Sequence, residues 1–599
     1  MGFFDLKGTI RPLIGLKQFG KVPHTIEYPN ESKEAAPRYR GFHFNELEAC
    51  IGCGNCSTIC MNGAIDMISL VEIEGKQGDS GLRPRVDHGR CCWCALCVEV
   101  CPTGSLSLTK DYLYVSPDAD SFLWTPGVDN PDGKENISFF STEESSLTEM
   151  TRVPMRELEG MERIKSFAEV VLGYEEEEAR KEASRCISCG ICTEVCPDHM
   201  HIPEYINAIA NADDRSAIKI IYDNNPLPEM CGKVCTRRCE DVCAVQVRGE
   251  AVAIRWLKRY AIERAENADL IQEIVNPEIR EPNGKKIGIV GAGPAGLTAA
   301  YYLALRGYDV TVYEARAKGG GMTMYGIPKY RLPEESLDKQ IAYMQHIGVK
   351  IKFNTQVGKD ISFEEIYNSY DAVFLGVGFQ KGWDLGVPNE DAKGVQPAVD
   401  FLVNVNDGQD VKVGKHVVVI GGGNVAIDAA RVARRYGAEV SILYRRRVED
   451  MPADWEEIEG AEDEGVHIVA QAIPKQVVID ADGKLSGFEY IKAKMEQDEK
   501  GGRPRPVPIE GGETIVPADD VMVAIGQEAD YSFLPEEFIK KIEINRGRIV
   551  TDPVTFQTSD PKVFAGGDSV NRTADAISAI ANGFNAVKGI EAFLFGKEK

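Results

Sequence analysis

GKKIGIVGAGPAGLTAAYYLALRGYDVTVYEA, residues 284–315, decides the architecture of the second half of the chain. The apolar run Ile287–Val290 reads as a buried strand. Gly291, Gly293 and Gly296 follow as G-x-G-x-x-G, with Pro294 and Ala295 between them, and a helical pattern continues to Leu305. A second strand, Val310–Tyr313, runs into Glu314, Ala315 and Arg316. The first glycine makes the turn, the second lets backbone approach a pyrophosphate, and the third lets helix lie on strand. The helix start offers free N–H groups and the positive end of its dipole to phosphates. Glu314 then stands where a ribose diol is bound. Strand, turn, helix, strand and acid in that order specify a dinucleotide-binding α/β unit.

The pattern recurs in HVVVIGGGNVAIDAARVARRYGAEVSILYRRR, residues 416–447, with Gly421, Gly423 and Ala426 in the glycine positions. Here the second strand ends in Arg445, Arg446 and Arg447 rather than an acid. An arginine at that point suits a 2′-phosphate, which a carboxylate would repel, so the second nucleotide is expected to be NADP(H). A third signal, KVFAGGDSVNRTADAISAIANG at 562–583, is a short strand ending at Gly566, Gly567 and Asp568. A helix follows, entered near Ala574, Asp575 and Ala576. An acid after a glycine pair can hold a flavin-side hydroxyl, and the helix start can face the electron-rich edge of an isoalloxazine.

All seventeen cysteines precede residue 244. Such segregation and tight spacing point to metal rather than disulfides. Cys50, Cys53, Cys56 and Cys60 are spaced x2, x2, x3, as are Cys91, Cys94, Cys97 and Cys101, followed by Pro102. This is the run of two-cluster ferredoxins, in which the fourth cysteine of each run serves the other cluster. Cys101 is therefore expected with Cys50, Cys53 and Cys56, and Cys60 with Cys91, Cys94 and Cys97. Zinc sites usually pair two short knuckles across a longer gap, which these runs do not. Cys186, Cys189, Cys192 and Cys196 repeat the spacing. Cys231, Cys235, Cys239 and Cys243 stand four apart, which could put their thiols along one helical face. Four quartets leave only Cys92 over, and four [4Fe–4S] clusters are expected.

The 599 residues carry 68 basic and 93 acidic side chains, a formal charge of −25. That field disfavours nucleic acid. No apolar run is long enough for a transmembrane helix. The N-terminal MGFFDLKGTIRPLIGLKQFG lacks a signal-peptide core and, with Leu6, fits a myristoylation pattern poorly, so a docking extension and a cytoplasmic location are expected.

From about residue 165 onward the chain resembles the small (beta) subunit of glutamate synthase and related NADPH-dependent iron–sulfur flavoproteins. The motifs carrying the resemblance are NPLPEMCGKVC, VGAGPAGL, GGGMTMYGIPKYRLP, VVVIGGGNVAIDAAR, YRRRVEDMPA and FAGGDS. The resemblance implies that the Gly291–Gly296 loop, Glu314, Gly321, Met322, Arg331, Val357, Asp568 and Ala574 to Ile577 line FAD. It implies that Asn424, Val425, Ala426, Arg445, Arg446 and the turn Ala524, Ile525, Gly526 line NADP(H), in a domain inserted within the FAD domain. In such relatives one cluster takes a Glu or Gln ligand from the helix after the last cysteine; AVAIRWLKRY puts Lys258 there. Either Cys231 supplies that ligand or one cluster is absent.

The first 110 residues resemble the two-cluster ferredoxin subunit of respiratory complex I. The combination is similar to the NADPH-binding subunit of electron-bifurcating NADH-dependent ferredoxin:NADP+ oxidoreductases, in the Sporomusa-type branch. This implies a complex I-like NADH-binding flavoprotein subunit, a small iron–sulfur subunit and ferredoxin as partners. The expected layout is a multidomain α/β chain. It runs as a docking extension (1–40), an α+β two-cluster ferredoxin (41–112), a linker (113–165) and a helical iron–sulfur domain (166–282). Two Rossmann-like domains follow. The FAD domain is split into an opening segment (283–398) and a closing segment (516–599), with the NADP(H) domain (399–515) between them. Hydride from NADPH would reach FAD and leave as single electrons, and no catalytic side chain is nominated. The alternatives are an electron-input subunit of glutamate synthase or a formate-linked complex, or an electron-transfer adaptor with an unused nucleotide site.

Overall fold

The computed structural model describes residues 35–70, 78–111, 118–128, 151–247, 249–264, 268–275, 279–497 and 504–596, with residues 33, 73, 114 and 116. Most of the expected docking extension and the middle of the expected linker lie outside the described residues. The chain forms two compact units, 1–149 and 150–599. Among the described residues no helix is long and apolar enough to cross a membrane.

In the first unit, strand His43–Asn45 pairs antiparallel with Leu106–Leu108. A three-stranded antiparallel sheet joins Ile65–Ser69, Leu82–Asp87 and Leu123–Trp124. The last of these strands falls in the expected linker, so this unit extends past residue 112. Aromatic burial is the cause: Trp124 is 1% exposed and packs on Phe42 and His88. Residues from Thr151 likewise belong to the second unit. Val153 is buried, and its N–H donates to the fully buried Glu182 carboxylate.

The second unit opens with helices, among them Glu176–Ser184, Ile202–Ala210, Asp214–Asn224, Pro228–Val234 and Ile254–Glu263. Two five-stranded sheets follow, all parallel. The first has the order Val563–Ala565, Ala372–Leu375, Lys286–Val290, Asp309–Tyr313, Lys350–Lys352. The second has Val395–Pro397, Asp520–Val523, His416–Ile420, Glu439–Tyr444, His467–Ala470. The chain crosses between them on two short antiparallel strands, Lys381–Gly382 and Gln527–Glu528. The domain boundaries expected at 398/399 and 515/516 therefore move outward. Val395–Pro397 and Asp520–Val523 belong to the second sheet, the latter pairing with Val395–Pro397 on one side and His416–Ile420 on the other.

Candidate functional site

The two glycine loops are built alike. At Gly291 (φ 97°) a Cβ would stand 2.5 Å from the carbonyl oxygen of Gly376, in the turn after the adjacent strand. At Gly421 (φ 148°) it would stand 2.3 Å from that of Ala524, the corresponding turn of the second sheet. Gly296 is closed by packing, its Cβ position lying 2.0 Å from the Gly291 oxygen. Gly293 and Gly423 differ. Their Cβ positions meet nothing nearer than 3.9 and 4.0 Å, so each leaves an open cradle at a helix start. That is the space a pyrophosphate needs against the backbone.

A cavity of about 700 Å³ opens at the first loop. Gly291, Gly293, Pro294, Ala295, Glu314, Ala315, Arg316, Gly321, Met322, Arg331 and Val357 line it, as do Gly567, Asp568, Ala574, Asp575 and Ala576. Most of the residues read as flavin-lining thus share one wall, while Gly296 and the buried Ile577 support it from behind. Glu314 is buried and accepts hydrogen bonds from the N–H groups of Ala292 (2.8 Å) and Arg316 (2.9 Å). Burial pushes its carboxyl above the usual range. Burial, and then the neighbouring Asp575, push Asp568 up to about 6. Asp575 caps the last helix by accepting from Ser578 N–H at 2.8 Å and pairs with Arg238. The open cradle, the acid at the ribose position and the capped helix fit a flavin dinucleotide.

Other lining residues were not foreseen, two groups of them in particular. Gly376 to Gly378 follow an apolar strand as G-V-G, a signal that was available in the sequence. Val234 and Thr236 flank Cys235, and only folding brings them to the cavity. From the second sheet, Asn424 and Val425 at the start of helix Asn424–Arg435 complete the wall.

Gly421, Gly423, Ala426, Arg445, Arg446 and the turn Ala524–Gly526 lie outside that lining. Ala426 is buried under the helix, and Trp383 packs on Gly526. Arg445 is exposed and makes no ion pair among the described residues. Arg446 donates to the Pro504 carbonyl (3.3 Å), and Arg447 is engaged by Asp450 (2.9 Å). Arg331 lines the cavity, as expected, and has a second attachment. Its guanidinium binds Asp428 (2.8 Å) and Glu457 (3.0 Å), tying the flavin side to the second sheet. Arg255 pairs with Glu456 (2.5 Å), and Arg237 with Asp454 and Glu456, joining the cysteine region to the start of helix Trp455–Asp463, which also carries Glu457.

The three x2-x2-x3 runs share one backbone shape. The residues before and after the second cysteine all have left-handed φ: Gly52 and Gly54 (62° and 76°), Trp93 and Ala95 (57° and 68°), Ser188 and Gly190 (52° and 79°). Holding Trp93, Ala95 and Ser188 there is costly and turns successive N–H groups inward, a concavity suited to an anion. Cys50, Cys53, Cys56 and Cys101 line one pocket. Burial, and then Cys92, Cys60 and Cys94, push the Cys91 thiol up to about 11, while burial, Cys91, Cys56 and Cys60 push Cys97 up to about 12. Thiols held so high would bind a metal centre only by losing their protons, which couples binding to proton release. Cys92 is exposed beside them.

The other eight cysteines divide differently from their order in sequence. Cys186, Cys189 and Cys192 line a pocket with Cys243. Cys196 groups instead with Cys231, Cys235 and Cys239, all four thiols acting electrostatically on Lys258. The expectation of one helical thiol face for the fourth group fails. Helix Pro228–Val234 ends at Cys235, which is extended, and Arg237 turns left-handed at φ 45°. A new short helix, Arg238–Asp241, then carries Cys239. Among the described residues no three His, Cys, Asp or Glu side chains converge as ligands of a single ion. A cluster spreads its thiolates over several irons, so the two pocketed quartets fit clusters.

Comparison with known proteins matches three successive regions of the chain. Residues 285–583 match the pyridine nucleotide-disulphide oxidoreductase family, 163–270 the dihydropyrimidine dehydrogenase domain II, 4Fe-4S cluster family, and 49–105 the 4Fe-4S dicluster domain. The chain is 35% identical over 452 residues to the glutamate synthase [NADPH] small chain of Escherichia coli, covering 72% of this chain and 94% of that one. It is 31% identical over 577 residues to the E. coli oxidoreductase AegA, covering 91% and 85%. It is 39% identical over 431 residues to the NADPH-Fe(3+) oxidoreductase subunit beta of Geobacter sulfurreducens, covering 67% of this chain and 63% of that one. The chain belongs to the glutamate synthase small-chain-like family of NADPH-dependent FAD and 4Fe-4S oxidoreductases. It is an oxidoreductase, with ferredoxin-type 4Fe-4S domains ahead of its dinucleotide-binding domains.

Proposed function

We propose that this chain is the NADPH-binding subunit of a cytoplasmic, multi-subunit, flavin-based electron-bifurcating transhydrogenase coupling NADP(H), NAD(H) and ferredoxin. The observation that carries the reading is the composition of one cavity wall. Gly291–Ala295, the helix start at Asn424 and Val425, and the Cys235 neighbours Val234 and Thr236 all face it. A nucleotide, a flavin and an iron–sulfur centre would thus share one chamber. Gly291, Gly293 and Pro294 would hold the FAD pyrophosphate, Glu314 its ribose, and Asp568 with Ala574–Ala576 the flavin end. Gly421, Gly423 and Asn424 would hold NADP(H), with Arg445 and Arg446 on the 2′-phosphate. When bound, FAD supplies exchange between hydride and single-electron chemistry, and [4Fe–4S] clusters supply one-electron relays. The side chains position and enclose, and none is needed as an acid or nucleophile.

An electron-input role in a glutamate synthase-like or formate-linked complex would use the same cavity. The additional N-terminal pair of quartets favours the first reading, because it offers a separate one-electron outlet. The test is NADPH oxidation by the native complex with NAD+ alone, oxidised ferredoxin alone, and both. Oxidation is expected only with both acceptors, and full-rate NAD+ reduction without ferredoxin would sink bifurcation.

The nucleotide preference has its own test. Arg445→Asp removes an exposed cation from the 2′-phosphate position and adds a repelling charge. NADPH kcat/KM is expected to fall by about 100-fold, the effect of about 2.7 kcal/mol, with NADH turnover changed far less. Equal losses for both nucleotides would contradict the 2′-phosphate role.

A further inference from the structure

Beside Cys196, Cys231, Cys235 and Cys239 the protein leaves two buried hydrogen-bond donors without an adequate partner. Lys258, on helix Ile254–Glu263, is 5% exposed. Its ammonium reaches one acceptor among the described residues, the Met200 thioether at 3.3 Å, and forms no ion pair. A thioether is a weak acceptor. Asp198, an acid within electrostatic range of it, accepts no hydrogen bond from any described residue. Tyr205, on helix Ile202–Ala210, is fully buried, and its hydroxyl has no partner among the described residues. Within electrostatic range of that hydroxyl lie the thiols of Cys239, Cys196, Cys192 and Cys235.

A buried ammonium that no carboxylate meets in an ion pair costs several kcal/mol, and an anion set against it offsets that cost. A cluster bound by four thiolates is an anion in both oxidation states and gains one more negative charge on reduction. A fixed cation therefore favours the reduced form, and hydrogen bonds to the sulfurs act in the same direction. The neighbouring pocket at Cys186, Cys189, Cys192 and Cys243 has no cation in its lining, being walled by Ile187, Pro203, Ile206, Val252 and Ile254. An ammonium cannot ligate iron, so a fourth ligand beside Cys196, Cys235 and Cys239 has to come from another side chain. Cys231 is wholly buried one helical turn before Cys235, with Cys235 N–H bonded to its carbonyl at 3.2 Å, and is the thiol left to fill that role.

We propose that Lys258 is the buried counter-charge, and the Tyr205 hydroxyl a hydrogen-bond donor, of a four-cysteine cluster at Cys196, Cys231, Cys235 and Cys239. Together they set its reduction potential above that of the cluster at Cys186, Cys189, Cys192 and Cys243. The cluster beside the flavin cavity is then the first to hold an electron. The inference rests on the cluster assignment proposed above.

The experiment is an EPR-monitored redox titration of the anaerobically purified holoprotein, with iron counted in the same samples. Lys258→Met is expected to keep full iron and to move one cluster to more negative potential. Tyr205→Phe should move the same cluster less far, and Lys258→Arg should leave it near the parent value. Full iron with unchanged potentials in Lys258→Met overturns the counter-charge role. Iron loss in both Lys258→Met and Lys258→Arg also overturns it, since Lys258 would then be needed for assembly rather than tuning. Cys231→Ala is expected to degrade that cluster alone. Retention of all iron there, with an unaltered spectrum, overturns the four-cysteine set while the Lys258 potentials still report on the charge. A parent protein short by one cluster would instead count against the underlying assignment.

Discussion

Gly293→Ala is expected to give folded protein that has lost most of its flavin, whereas Gly296→Ala is expected not to accumulate as folded protein. Both residues belong to one short loop, yet their surroundings differ. Gly293 has φ −78° and ψ 178°, which alanine adopts without strain, and the nearest atom to its Cβ position is 3.9 Å away. The new methyl would therefore cost the apoprotein little. It would occupy the cradle in which backbone must meet a pyrophosphate. Flavin affinity should fall at least tenfold, about 1.4 kcal/mol or more. At Gly296 the methyl would lie 2.0 Å from the Gly291 carbonyl oxygen and 3.3 Å from Ile289. Backbone cannot yield there without moving strand from helix, and overpacking of this kind costs about 1–3 kcal/mol or more. The paired measurement is the flavin-to-protein absorbance ratio with far-UV circular dichroism. A Gly293→Ala protein with full flavin would refute the cradle. Gly423→Ala provides the internal control, since it should keep flavin and lose NADPH affinity.

These loops were legible because everything they need is local. A turn, a close backbone approach and a helix start are encoded within a dozen residues, and so are the left-handed corners of the three cysteine runs. What escaped the sequence is set by long-range pairing. Asp520–Val523 lies between Val395–Pro397 and His416–Ile420, and no local pattern announces a strand inserted from so far along the chain. The ion pairs of Arg331 with Asp428 and Glu457 escaped as well, because nothing local announces that those acids face it. Trp124 read as linker, because an isolated aromatic in a turn-rich stretch gives no sign of the ring cluster that buries it. The even spacing of Cys231, Cys235, Cys239 and Cys243 misled for a related reason. Periodicity of four is a helix signal only while the helix continues, and here it stops at Cys235.

Partition of the cysteines in the second unit makes the second large prediction, read by iron content. If Cys243 completes the site of Cys186, Cys189 and Cys192, then Cys186→Ala with Cys243→Ala damages one cluster. The holoprotein should drop from about sixteen irons per chain to about twelve. If Cys196 belongs with Cys235 and Cys239, then Cys196→Ala with Cys243→Ala damages two clusters and should leave about eight. Quartets taken in order of sequence predict a different pattern, since Cys186 and Cys243 would then lie in separate clusters and Cys186 and Cys196 in the same one. Cys186→Ala with Cys196→Ala discriminates again, costing two clusters under the structural division and one under the sequential division. The physical basis is the broken helix. With Cys235 as its end and Arg237 reversing the chain, Cys243 is carried to the pocket walled by Ile206, Val252 and Ile254. Cys239 remains on the short helix beside Arg238, whose pairing with Asp575 holds that segment against the flavin cavity. An interleaved pair also ties the two clusters to one scaffold, so their separation is fixed by the fold rather than by a linker. Equal iron loss in all three double variants would show that the sites collapse together, and the partition would have to be abandoned.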